Sequence, residues 1–101
     1  MRKIQPAVRA YLQISLPVPP ERRDEAITKV FLPSRQRFDE LAEGAVSIDL
    51  LVRNEDLQVL AGFDTLEHAR AFEKSPAGRD LTGQLTKLAE KEPTVALYNV
   101  D

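Results

Sequence analysis

The sequence lacks cysteine and tryptophan, and it has a single histidine among its 101 residues. Without cysteine there can be no disulfide, thiolate metal site, iron–sulfur cluster or cysteine nucleophile. One histidine is too few for a histidine-based metal site within one chain. We therefore expect no metal and no cofactor.

Long apolar runs and a strong charge imbalance are also missing. No stretch approaches the roughly 20 apolar residues that a membrane-spanning helix needs, so no membrane partner is expected. The first residues lack the apolar segment of a secretion signal, which favours a cytoplasmic protein. The formal net charge of −2 gives no electrostatic reason to expect nucleic acid as a partner. The length fits one domain over residues 1–101.

The first half of the chain reads as a strand followed by a helix. Apolar residues occupy every second position over Val8–Leu16, which predicts a half-buried strand that ends at the following proline. A helix is expected to begin at Pro20 and to kink or break around Leu32, next to another proline. Gly44 can adopt the left-handed conformation, so it is expected to follow the end of this helix.

Two further alternating runs begin at Val46 and Leu57 and are separated by a turn-like segment, which predicts a hairpin. Pairing Val52 with Leu57 puts the apolar sets of both strands on one face, whereas a slip of one residue would separate them. The same register sets Arg53 opposite Asp56, a favourable pair of charges.

The rest of the chain predicts a helix and a last strand. Asp64 is expected to cap the helix with Glu67 reaching back, and a Ser-Pro pair interrupts it after Lys74. The helical pattern that follows this interruption should end at Glu92, before a strand over 94–100. The element order is therefore strand, helix, strand, strand, helix, strand. This order predicts an α+β ferredoxin-like plait, which is a four-stranded antiparallel sheet with helices on one face. The apolar stripes assign three phenylalanines to the core: Phe31, Phe63 and Phe72.

Such a plait leaves one sheet face uncovered. Strand parity places a mixture of polar and apolar residues on it: Arg9, Tyr11, Gln13, Ser15, Ser47, Asp49, Leu51, Arg53, Gln58, Leu60, Gly62, Ala96, Tyr98 and Val100. A second chain or a ligand could cover this face, and we expect a homodimer. RNA-recognition plaits stack bases on aromatic residues of the central strands, and this sequence offers too few aromatic residues and too little basic charge.

The element order and the segment 63–76 resemble the dimeric α/β-barrel superfamily, most closely its antibiotic-biosynthesis-monooxygenase-like family. In that family the third strand ends in an aromatic residue, followed by a small hydroxyl residue, a glutamate and a helix that leads to a Ser-Pro-like break. The matching positions are Phe63, Thr65, Glu67, Ser75 and Pro76. The resemblance implies that two chains pair their sheets into a closed barrel.

The resemblance also implies where oxygenase chemistry would reside. Cofactor-free oxygenases of this type use an asparagine on the first strand, a tryptophan and often a histidine on the second helix. This chain has Gln13 in the corresponding strand, Phe63 in place of the tryptophan and Phe72 in place of the histidine. His68 lies about one helical turn earlier. Because all three identities differ, the family's reaction is not carried over.

Six side chains are candidates for a substrate-binding site: Arg9, Tyr11, Gln13, Asp49, Arg53 and His68. His68 could act as a general base, or it could be an exposed residue of a first helical turn. Asp49 beside arginines could bind a small acid, or the charges could form structural ion pairs. Tyr11 could donate to a substrate oxygen or fill the barrel.

Two functions follow from these residues. In one, a homodimeric barrel binds or converts a small polar aromatic or carbonyl-containing metabolite. In the other, a non-catalytic homodimeric module has its barrel filled with side chains and serves structure or interaction. A ligand-sized cavity lined by the candidate residues would favour the first function.

Overall fold

A computed structural model describes residues 8–54, 56–89 and 91–100. The strands are β1 (Ala10–Leu16), β2 (Ala45–Val52), β3 (Leu57–Phe63) and β4 (Thr94–Asn99). The helices are α1 (Pro20–Glu25), α2 (Leu32–Gln36), α3 (Phe38–Leu41), α4 (Leu66–Lys74) and α5 (Pro76–Leu88), and a π-helical segment (Ala26–Phe31) joins α1 to α2. None of the helices in these ranges is long and apolar enough to cross a membrane.

The four strands form one antiparallel sheet in the order β2-β3-β1-β4. This order confirms the predicted α+β ferredoxin-like plait. The hairpin has the predicted register, with Val52 opposite Leu57. Arg53 donates from Nε to a carboxylate oxygen of Asp56 at 2.7 Å, and its backbone N–H donates to the Asp56 carbonyl at 3.0 Å.

The hydrophobic core lies between one sheet face and the helices. Along β1 the residues Leu12, Ile14 and Leu16 are at most 2% exposed, whereas the residues between them are only half-buried. Alternate side chains of a strand point to opposite faces, so the buried set marks the face that the helices cover. The helices contribute further buried side chains: Val30, Phe31, Phe38, Ala69, Phe72, Leu81 and Leu85.

Three aromatic rings meet at the centre of this core. The ring centroid of Phe38 lies 5.7 Å from that of Phe63 and 5.5 Å from that of Phe72, both edge to face. Phe63 and Phe72 lie 5.8 Å apart, completing the cluster. Phe31 is also buried, so all three phenylalanines assigned to the core are confirmed there. Phe63 and Phe72 stand where the resemblance places a tryptophan and a histidine, and here those positions are filled by packed apolar rings.

The helical region does not break at Leu32. It stays helical to Gln36, and the break comes at Arg37, whose φ is −109° and ψ is 6°. The backbone N–H of Leu32 donates to the carbonyl of Ile27, five residues back, which is the wider π-helical spacing. Proline has no N–H and its ring crowds the preceding turn, so wider turns before Pro33 let the helix continue.

The helix cap and two element boundaries also differ from expectation. Thr65, not Asp64, caps α4, because its hydroxyl accepts from the backbone N–H of His68 at 3.1 Å. α5 ends at Leu88, where the chain turns extended, rather than at Glu92. β1 begins at Ala10 and not at Val8. Ala10 lies opposite the last residues of both neighbouring strands, Phe63 of β3 and Asn99 of β4.

Removing the ring of Phe72 should destabilise the fold strongly. Phe72→Ala takes away a buried side chain that contacts two other rings, so the free energy of unfolding should fall by about 3–5 kcal/mol. Urea denaturation followed by circular dichroism measures the loss. The control is Leu32→Ala, which removes a side chain that is 39% exposed and should cost less than about 1 kcal/mol. Equal losses for the two variants would contradict the central packing of Phe72.

Candidate functional site

The sheet face opposite the helices is the candidate site, and we call it the open face. The strand register aligns its side chains in three rows across β2, β3, β1 and β4. The rows are Ser47, Gly62, Tyr11 and Tyr98; then Asp49, Leu60, Gln13 and Ala96; then Leu51, Gln58, Ser15 and Thr94. Neutral polar groups therefore occupy the centre of the face, with apolar side chains among them.

Two glutamines lie at the centre of the open face. Gln13 donates from Nε2 to Oε1 of Gln58 at 3.0 Å, and both residues are half-buried. Among the described residues, the side-chain oxygen of Gln13 and the side-chain nitrogen of Gln58 have no further partner. The pair thus offers the acceptor oxygen of Gln13 and the donor nitrogen of Gln58 to a molecule that lies on the face. Strand alternation predicts Gln58 on this face, but its contact with Gln13 spans two strands and is not marked in the sequence.

Asp49 lies on the edge strand β2, in the same row as Gln13. Leu60 lies between them, so two strand spacings separate Asp49 from Gln13, about 10 Å. Asp49 is exposed, and none of the described residues forms an ion pair with it. If the open face were enclosed, this carboxylate would need a cation or a hydrogen-bond donor, because a buried charge without a partner is costly.

The two candidate arginines lie at opposite ends of the sheet. Arg9 is exposed and precedes β1, where its backbone N–H donates to the carbonyl of Phe63 at 2.9 Å. Arg53 lies at the tip of the β2–β3 hairpin and pairs with Asp56. Hydrogen bonds from Arg53 hold the pKa of the Asp56 carboxyl below its usual value. β3 spans about 20 Å between these two ends, so the arginines do not form one anion-binding cluster.

Tyr11 belongs to the first row of the open face, between Gly62 and Tyr98. Gly62 is needed in this row, because a Cβ there would lie 2.6 Å from Oγ of Ser47 and 3.0 Å from Cγ2 of Val8. Val8 therefore packs over Gly62 on the open face. The alternation of apolar residues predicts Val8 on the helix-covered face, but the strand begins only at Ala10.

His68 lies in the first turn of α4, in the helical layer and away from the open face. Its Nδ1 lies 2.6 Å from Oδ1 of Asp64, and its Nε2 lies 3.8 Å from Oε1 of Glu43. The hydrogen bond with Asp64 raises the pKa of His68 above its usual value, and the charges of Glu43 and Glu67 act in the same direction. The spacing of four residues between Asp64 and His68 could have indicated this pair from the sequence.

The structure thus brings together three of the six candidates, Tyr11, Gln13 and Asp49, on the open face. Their shared chemistry is hydrogen bonding by a phenol, an amide and a carboxylate beside leucine side chains. Within the described ranges, no group of histidine and carboxylate residues is arranged to hold a metal ion.

A concavity of about 180 Å³ lies on the helical side, between the π-helical segment and α5. Its walls combine charged and apolar side chains: Glu25, Lys29, Val30, Gln84, Lys87 and Leu88. Lys29 pairs with Glu25 at 3.6 Å, which leaves Lys87 as the remaining charge. None of the six candidate residues lines it.

The titration of His68 should depend on Asp64. Because the folded-state pKa lies above 6.5, protonation of His68 stabilises the fold; this contribution is complete below about pH 6.5 and is lost as the pH rises through the raised pKa. We expect Asp64→Asn to lower the pKa toward 6.5, and Glu43→Gln to lower it less. NMR of the imidazole protons measures this without ambiguity, since the chain has one histidine. An unchanged pKa in Asp64→Asn would contradict the assigned contact.

No protein-family model matches the sequence, and no curated protein sequence matches it. Solved structures do match. A monooxygenase from the gene ActVA-Orf6 of Streptomyces coelicolor, in complex with the ligand nanaomycin D, superposes with a TM-score of 0.77 at 15% identity, covering 93% of this chain and 88% of that one.

Two further structures match over most of both chains. A dimeric ferredoxin-like protein of unknown function from Jannaschia sp. CCS1 has a TM-score of 0.72 at 15% identity, covering 90% of this chain and 98% of that one. A protein described as an antibiotic biosynthesis monooxygenase has a TM-score of 0.71 at 10% identity, covering 91% and 98%. At these identities the likeness concerns the fold. The chain has the ferredoxin-like fold of the antibiotic-biosynthesis-monooxygenase-like proteins.

Proposed function

We propose that two copies of this chain pack their open faces together into a closed barrel, which binds a small polar aromatic or carbonyl-containing metabolite. The observation that carries the proposal is the position of the exposed apolar side chains. Among the described residues of open-face parity, the large hydrophobic residues that are at least 42% exposed lie on or next to the two edge strands: Leu51, Tyr98 and Val100.

The edges of the sheet support a second copy as the partner. An edge strand presents unpaired backbone groups, and soluble proteins usually protect such edges with lysine, proline or a covering element. β2 has neither lysine nor proline, and Asp49 is its single charged residue. Two copies related by a two-fold axis would cover both open faces and bring β2 of one copy beside β4 of the other. The Jannaschia protein, which shares the fold, is described as dimeric.

The chemistry of the open face supports a small neutral or weakly acidic ligand. Ligand sites combine apolar walls with a few polar groups that set orientation. Gln13 and Gln58 offer an acceptor and a donor, which suit a hydroxyl and a carbonyl group. Tyr11 and Tyr98 are cross-strand neighbours whose rings could lie beside an aromatic ligand. The Streptomyces structure holds the ligand nanaomycin D.

Charge on the edge strand should weaken the dimer. Analytical ultracentrifugation at micromolar concentration should give a particle of twice the chain's 11.3 kDa. Leu51→Glu puts a charge on an apolar contact of the open face, so the dissociation constant should rise about tenfold or more. Leu41→Glu is the matched control, because Leu41 is 38% exposed but lies on α3 in the helical layer. A monomeric wild-type chain would contradict the proposal.

Removing the central amide should weaken ligand binding. We expect para-hydroxybenzaldehyde and nanaomycin D to bind the dimer in isothermal titration calorimetry, and Gln13→Leu to raise the dissociation constant about fivefold through loss of a hydrogen bond. Gln84→Leu is the control, since Gln84 lies on α5 and donates to Asp80.

Oxygen uptake measured with the same two compounds tests for monooxygenase-like conversion. Uptake that requires the bound compound would identify an enzyme. If the chain is dimeric but binds neither compound, the binding proposal is wrong for this ligand class and the non-catalytic filled barrel is favoured. One observation favours the filled barrel: the side chains of Gln13 and Gln58 bond to each other and already occupy part of the open face.

A further inference from the structure

Two turns meet at one end of the sheet, outside the open face. The turn before β2 contains Gly44, whose φ of +78° lets the chain reverse direction sharply. The turn before α4 contains Asp64, whose backbone N–H donates to the carbonyl of Gly44 at 2.9 Å. One backbone hydrogen bond therefore joins the two turns.

Side chains close the same junction. A Cβ on residue 44 would lie only 2.2 Å from Nδ1 of His68 and 2.3 Å from Oδ1 of Asp64. The hydrogen-bonded pair of Asp64 and His68 thus occupies the space that any other residue at position 44 would need. His68 is the link, because its Nδ1 faces Asp64 while its Nε2 faces Glu43 on the other turn.

The two nitrogens of His68 respond differently to loss of a proton. A neutral imidazole carries one N–H, and the 2.6 Å contact with Asp64 favours keeping that proton on Nδ1. The hydrogen bond to Asp64 can therefore persist when the imidazolium loses one proton. The Nε2 nitrogen attracts the carboxylate of Glu43 only when the ring is protonated, and once deprotonated it turns a lone pair toward that carboxylate.

We propose that His68, Asp64 and Glu43 form a proton-operated clasp, in which the imidazolium holds the α3–β2 turn against α4 and its deprotonation loosens the start of β2. The described charged groups that face the ring are the carboxylates of Asp64, Glu43 and Glu67, and all of them favour the closed, protonated form. The segment that the clasp holds is suited to loosening, because the register of β2 is irregular between Ala45 and Ser47.

Release of the clasp reaches the open face through β2. Ser47 follows the irregularity and is the first residue of β2 in the rows of the open face, opposite Gly62. A looser start of β2 therefore alters the rim of the open face without disturbing its centre. The clasp does not depend on the proposed barrel, since every contact that forms it lies within one chain.

Amide hydrogen exchange measured by NMR tests the clasp at about pH 5 and about pH 9, on either side of histidine titration. At the lower pH, the amides of residues 45–47 should be about two- to fivefold better protected in the wild type than in Glu43→Gln, as expected for an exposed ion pair. At the higher pH the difference should disappear. A second variant, His68→Gln, should remove the pH dependence of the protection of residues 45–47.

The control variant is Lys29→Gln, which removes an exposed ion pair with Glu25 in the first helical region and should leave residues 45–47 unchanged. A change that is no larger at residues 45–47 than at the other amides of the sheet would overturn the proposal, because it would mean that the ion pair acts only through the stability of the whole fold. Equal protection of residues 45–47 in the wild type and Glu43→Gln at the lower pH would also overturn it.

Discussion

The strict alternation of side chains along four strands is the constraint on which the rest of this structure depends. The helices cover one face of the sheet, so the apolar residues of each strand must point to the same face as Leu12 and Ile14. The residues between them then lie together on the open face, whether they are polar or apolar. The open face and the two apolar edges are thus direct consequences of the way in which the core is built.

Alternation is also why so much of the fold could be predicted from the sequence. The pairing of Val52 with Leu57 follows from parity alone, and parity also places Tyr11, Gln13 and Asp49 on one face. Parity says nothing about the ends of strands, which is why Val8 was misplaced. The same register predicted the pairing of Arg53 with Asp56. It could not place His68, because the partner of this residue is set by the start of a helix.

Local competition explains the remaining differences. Asp64 and Thr65 are both good capping residues, and their sequence does not say which one caps α4. In the structure Thr65 caps the helix, which leaves the Asp64 carboxylate to the ring of His68. Likewise, a proline in a helical pattern predicts a kink or a break but does not say which form the disturbance takes, and here it is a change of hydrogen-bond spacing.

The π-helical segment Ala26–Phe31 gives the first helical region a tolerance of length that an ordinary helix lacks. Its turn closes over five residues instead of four, as the bond from Leu32 to Ile27 shows. Loss of one residue there would return the turn to α-helical spacing and leave Phe38 facing the other two rings. The same loss within α4 would rotate the rest of that helix by about 100°. Among natural variants of this chain, length should therefore vary more readily in this segment than in α4.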